Sequence, residues 1–122
     1  EDRISELGAE DGDYFLEAHD MGLLKMNEVV LNSRNELKLD LKKCIGITVN
    51  KVHGSEKSIN EIKARINPDI ESMEGAVIFK ICKEFDIPCM QIRSISNKVE
   101  RRNKENWDVN LAIKNYPLFS CC

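Results

Sequence analysis

The apolar positions follow two different periods along the chain. CIGITVN, Cys44 to Asn50, is compact and β-branched and predicts a buried strand. Ile59, Ile62 and Ile66 are three and four residues apart and share one helix face. Ser55 or Ser58 can cap that helix, and Asn67-Pro68 ends it. DIES, Asp69 to Ser72, predicts a very short strand or turn. Beyond Met73, the residues Val77, Ile78, Ile81, Cys82 and Phe85 make a wide apolar face, predicting a helix buried against a sheet. Asp86 and Pro88 close it. CMQIRSIS, Cys89 to Ser96, then predicts a strand, with Met90, Ile92 and Ser94 on one side and Gln91, Arg93 and Ile95 on the other. Asp108 or Asn110 is placed to cap a last helix that runs through Asn115 and stops before Pro117.

Ahead of that rhythm the signals are weaker. Residues 1–12 are rich in Asp, Glu and Gly and read as a loop. Tyr14, Phe15, Ala18 and Met21 have roughly helical spacing, so 13–21 reads as a short helix stopped by Gly22. Asn32 to Asn35 reads as a loop, and ELKLDLKK, residues 36–43, alternates like a surface strand. Strand, helix, short strand, helix, strand, helix is the order of an α/β protein.

Length and charge narrow the class. A chain of 122 residues predicts a single domain over 1–122, able to bury a core. A net charge of −3 favours neither nucleic acid nor an anionic membrane as partner. The longest apolar runs are only four or five residues, so no segment is expected to span a bilayer. The acidic N-terminus has no signal-peptide pattern. Five cysteines at irregular spacing argue against a disulfide framework. Cys44, Cys82 and Cys89 read as small buried hydrophobes and Cys121-Cys122 as an exposed pair, which suits a reducing cytoplasm. No cluster with metal-ligand spacing is visible, and no cofactor is expected.

Sites in α/β sheets lie beyond the carboxyl ends of the strands. Three such ends stand out: Asn50 with His53, Glu71 to Glu74, and Ser96-Asn97. Glu74 falls in the first turn of a predicted helix, where a carboxylate complements the helix dipole. Its other reading is functional: two acceptor oxygens can take both hydroxyls of a ribose. Met73 beside it offers flexible apolar surface to a sugar face. Asn97 has the same duality. It is a turn or cap residue, or an amide that pairs with a planar heterocycle while Ser96 orients it. Arg93 reads as structural.

ESMEGA, the run QIRSISN after Ile87-Pro88, and VERRNKENW together resemble the nucleoside phosphorylase and nucleosidase superfamily. GITVNKVHG and NWDVNLAIKN add likeness to its futalosine hydrolase branch, and the resemblance runs through almost all of residues 5–115. It implies a three-layer nucleoside phosphorylase-like fold, a mixed central sheet flanked by helices, with this chain as its C-terminal portion. It also implies an N-glycosyl hydrolase that releases hypoxanthine from futalosine in menaquinone biosynthesis. Met73 and Glu74 would then bind ribose, and Ser96 and Asn97 the purine, with Asn97 also stabilising the departing base. A small purine nucleoside is the implied partner, and a cytoplasmic homo-oligomer the implied assembly.

Asn97 stands where adenine-specific members of that superfamily carry Asp, so it points to a 6-oxopurine. A methylthioadenosine or adenosylhomocysteine nucleosidase and a non-catalytic purine-nucleoside binding protein are the alternatives. One departure is large: the family's first strands, Gly-rich loop and water-activating acid have no counterpart in this chain. By itself the chain is therefore expected to be inactive, and Glu10, Asp11 and Asp13 receive no catalytic role from the resemblance.

Overall fold

The computed structural model describes residues 1–34 and 38–116. The described residues divide into two compact units, one within 1–52 and 66–91 and the other within 53–65 and 92–116.

The first unit is built on a four-stranded mixed sheet. Its strands are β1 (Asp2–Ile4), β4 (Val30–Leu31), β5 (Gly46–Thr48) and β6 (Ile70–Ser72), in the order β4-β1-β5-β6. β1 runs antiparallel to β4 and parallel to β5, and β5 runs parallel to β6. Asp2, Gly46 and Ile70 stand in register, as do Ile4, Thr48 and Ser72 two residues on. By the alternation of a pleated strand, these residues share one face of the sheet. On that face lies the helix α3 (Gly75–Glu84), where Ala76, Phe79 and Leu31 form a buried cluster with Ile4 and Cys89 packed against it. Ile47, in the central strand, is wholly buried.

Two other elements complete the unit. A single-turn helix α1 (Met26–Val29) leads into β4, its first turn tied down by the Lys25 N–H donating to Glu28 Oε2 at 2.8 Å. A separate hairpin pairs β2 (Gly8–Asp11) with β3 (Tyr14–Glu17). The expected loop over 1–12 thus contains two strands, and the expected helix over 13–21 is instead a strand followed by turns. Tyr14, Phe15 and Ala18 have helical spacing, but Tyr14–Glu17 pairs as a strand with Gly8–Asp11. The deciding signal is Gly12, whose φ of 62° opens the two-residue Gly12-Asp13 turn in the manner of a hairpin.

In the second unit, α2 (Glu56–Arg65) starts where expected, with Ser55 Oγ accepting from the Ser58 N–H at 3.2 Å. It buries Ile62, and Asn67 follows it in a left-handed conformation, φ 50°. α4 (Val109–Asn115) is capped by Asp108, whose Oδ1 accepts from the Leu111 N–H at 2.8 Å.

Three further expectations are corrected. Residues 89–96 form no ladder; they run as irregular chain from the first unit into the second, so an alternating pattern without a partner edge made no strand. Of the proposed surface strand at 36–43, residues 36 and 37 lie outside the described part, and 38–43 carry no strand. The third concerns α3, which buries Gly75, Ala76 and Phe79 while Val77, Ile78, Ile81 and Phe85 remain exposed and Cys82 is half-buried. Apolar residues surround this helix, and only the narrow side carrying Gly75, Ala76 and Phe79 is buried. Cys44 and Cys89 are likewise half-buried, and Cys121 and Cys122 lie outside the described residues. No helix among the described residues is long and apolar enough to cross a membrane.

Two outcomes follow from this packing. A Cβ on Gly46 would lie 2.6 Å from Asp2 Oδ2, inside any tolerable contact. Gly46→Ala should therefore cost about 1–3 kcal/mol in a denaturant melt, as overpacking does. Asp69 accepts from the Ile45 N–H and from Lys42 Nζ, both at 2.9 Å, and these bonds hold its carboxyl below the ordinary value. A depressed carboxyl stabilises above its unfolded pKa and loses that contribution as pH falls through the folded value. The melting temperatures of parent and Asp69→Asn should differ at neutral pH and converge below about pH 4.

Candidate functional site

The junction of β6 and α3 places Ser72, Met73, Glu74 and Gly75 at the carboxyl end of the parallel strands. A helix begins with backbone N–H groups that have no partner within it, and the residue at its N-cap ordinarily serves them with its own side chain. Glu74 occupies the N-cap of α3, yet its side chain makes no capping bond. Other hydroxyls do the work. Ser72 Oγ accepts from the Gly75 N–H at 3.2 Å, and Thr48 Oγ1, reaching from β5, accepts from the Ala76 N–H at 2.7 Å. The next two N–H groups, of Val77 and Ile78, donate to the Glu74 carbonyl.

The Glu74 carboxylate is consequently left without a partner among the described residues, on an exposed side chain. Met73 next to it is 49% exposed, although a methionine gains by burial. An exposed thioether beside an unbonded carboxylate can present an apolar surface and two strong acceptors to a single ligand. The dipole of α3 still favours the charge at that position. Gln91 Nε2 donates to the Gly75 carbonyl at 2.7 Å, which ties the chain leaving α3 back to the same turn.

The second pair belongs to the second unit. Ser96 Oγ donates to Asn97 Oδ1 at 2.7 Å, and Asn97 Nδ2 donates to the Lys98 carbonyl at 2.9 Å. The Ser96 carbonyl accepts from the Asp108 N–H at 2.8 Å, which joins this pair to the cap of α4. Ser96 and Asn97 are half-buried. An amide has two N–H donors and two acceptor lone pairs. These two bonds use one of each, so Asn97 retains one donor and one acceptor in a fixed plane.

The charged loop that follows is ordered by its own contacts. Asn106 Nδ2 donates to Glu100 Oε1 at 2.8 Å, and the Arg102 guanidinium lies over the Trp107 ring, 5.5 Å from its centre. An open groove in this unit is lined by Glu56, Ile59, Asn60, Val99, Arg101 and Asn106, among others, and includes neither Ser96 nor Asn97. His53, one of the strand-end candidates, is buried and already engaged, while Asn50 is exposed. Met73 and Glu74 are thus adjacent in one unit, and Ser96 and Asn97 are bonded in the other.

Sequence reasoning missed Asp2 and Thr48. Thr48 Oγ1 donates to Asp2 Oδ1 at 2.7 Å, and Asp2 is only 1% exposed. Asp2 sits in an acidic run that resembles a surface loop, and nothing local sets it apart from its neighbours. Among the described residues no group of three or more His, Cys, Asp and Glu side chains is arranged to hold a metal ion.

The chain matches the family model of the phosphorylase superfamily over residues 4–120, and it belongs to that superfamily. A curated relative is the aminodeoxyfutalosine nucleosidase of Campylobacter jejuni, 27% identical over 84 residues. That alignment covers 69% of this chain and 37% of the relative, so the chain spans little more than a third of the protein it matches. No solved structure matches it.

Proposed function

We propose that this chain carries the sugar- and base-binding part of an N-glycosyl hydrolase that cleaves futalosine to hypoxanthine and the dehypoxanthine product. The observation that carries the reading is the unbonded Glu74 carboxylate at a helix start already capped by Ser72 and Thr48. Ser72 and Thr48 take the first two N–H groups, so the carboxylate is not engaged in capping and stays open to a ligand. Glu74 accepts the two ribose hydroxyls, and Met73 covers the sugar face.

The reaction breaks the bond between the anomeric carbon and the purine nitrogen. Water supplies a hydroxyl to that carbon, and a proton ends on the purine. Positive charge develops on the sugar ring as the bond opens, and an anion held at its hydroxyls stabilises that charge. Asn97 keeps one N–H and one lone pair for the purine edge, with its plane set by Ser96. An amide complements both a ring acceptor and a ring N–H of a 6-oxopurine. Activation of the water is assigned to none of the described residues.

The name of the Campylobacter relative favours a second reading, an amino-substituted nucleoside of the same type. Asn97 separates the two, because a carboxylate at its position would accept better from an exocyclic amine and repel a 6-oxo oxygen.

In the intact protein, Glu74→Gln should lower kcat/KM for futalosine by about 10- to 150-fold, the loss of a charge-assisted hydrogen bond. An effect within twofold would remove Glu74 from the sugar site. Asn97→Asp should shift the ratio of kcat/KM for 6-oxo against 6-amino purine nucleosides toward the amino type by about ten- to a hundredfold. An unchanged ratio would show that Asn97 does not read the base.

A further inference from the structure

Thr48 has one hydroxyl proton, and its bonding leaves no ambiguity about where that proton goes. A backbone N–H can only donate and an ionised carboxylate can only accept. Thr48 Oγ1 therefore receives the Ala76 N–H and gives its own proton to Asp2, each across 2.7 Å. Both side chains are buried, Asp2 at 1% and Thr48 at 8% exposure. Hydrogen bonds in series inside a protein polarise one another, so donating to Asp2 makes the Thr48 oxygen a better acceptor for the helix. The arrangement also depends on Gly46, since a side chain there would occupy the space of the Asp2 carboxylate.

This relay ends two residues after Glu74. It fixes the backbone of the first turn of α3 against β5 and β1, and it takes an N–H that the Glu74 side chain would otherwise be drawn to cap. We propose that Thr48, backed by Asp2, is a positioning residue for Glu74: it supplies the cap in Glu74's place and so holds that carboxylate outward for the ligand. The inference rests on the reading of Glu74 as the sugar ligand, and it adds two residues to the site that touch no substrate.

A residue that merely stabilises the fold would act independently of Glu74, whereas a positioning residue acts through it. A double-mutant cycle in the intact protein distinguishes them, with futalosine hydrolysis and melting temperature measured for Thr48→Val, Thr48→Ser, Glu74→Gln and Thr48→Val with Glu74→Gln. Thr48→Val keeps the shape and removes the relay; it should lower kcat/KM about tenfold. Thr48→Ser keeps the hydroxyl and should stay within about threefold of the parent. Added to Glu74→Gln, Thr48→Val should cost less than about twofold more.

A full tenfold further loss on the Glu74→Gln background would overturn the inference while leaving Glu74 as the sugar ligand. So would equal losses in Thr48→Ser and Thr48→Val, or a Thr48→Val variant as active as the parent. A silent Glu74→Gln would instead defeat the sugar-ligand reading, and the inference with it. If Thr48→Val does not fold, Asp2→Asn replaces it in the cycle. That change keeps an acceptor oxygen and removes the charge, and the same non-additivity with Glu74→Gln is expected; additive losses would overturn the inference.

Discussion

The start of α3 is held by hydroxyls that lie outside the helix. Thr48 from the central strand and Ser72 from the edge strand take its first two N–H groups, and the buried Asp2 takes the proton of Thr48. One chain of hydrogen bonds therefore links β1, β5 and α3, elements drawn from sequence positions 2, 48 and 76. The sheet needs Gly46 to make room for it, and Ala76 must be small enough to let the helix come close. A buried carboxylate would be costly if it lacked donors. Here one donor to Asp2 is Thr48, whose other partner is the helix backbone, so part of the cost of burying Asp2 is offset by the same relay that anchors α3.

The chemistry of the candidate site follows from that division of labour. Capping is delegated to short hydroxyl side chains, and the longer carboxylate at the N-cap stays unbonded and exposed beside an exposed methionine. The Asn97 amide is treated in the opposite way: Ser96 and the Lys98 carbonyl each claim half of it, which fixes its plane. A flexible acceptor suits hydroxyls on a puckered sugar, and a fixed amide suits the edge of a flat heterocycle.

Much of the α/β order was legible because it rests on local signals. The Ile59–Ile62 face, the Ser55 cap, the Asp108 cap and the strand core at Gly46–Thr48 all appear where periodicity and capping chemistry put them. The hairpin over 8–17 was not legible because Tyr14, Phe15 and Ala18 have helical spacing, and the local clue to a turn is Gly12. Cys89 to Ser96 has the alternation of a strand, yet strand formation is a property of pairs, and the segment finds no ladder. Met73, Glu74, Ser96 and Asn97 stand out in the sequence as candidates through their motif, whereas Asp2 does not. Its partner Thr48 stands 46 residues away, which no window along the chain can reveal.

The outward apolar side of α3 has a thermodynamic consequence. Denaturant sensitivity and the heat capacity of unfolding both scale with the surface newly exposed when a chain unfolds. Val77, Ile78, Ile81 and Ile87 already present about half of their area to solvent in the folded state, and Phe85 presents 72%. Unfolding adds correspondingly less from these side chains. The chain described here should therefore show a shallower denaturant slope and a flatter stability curve than a domain of equal length whose central helix is covered on both sides.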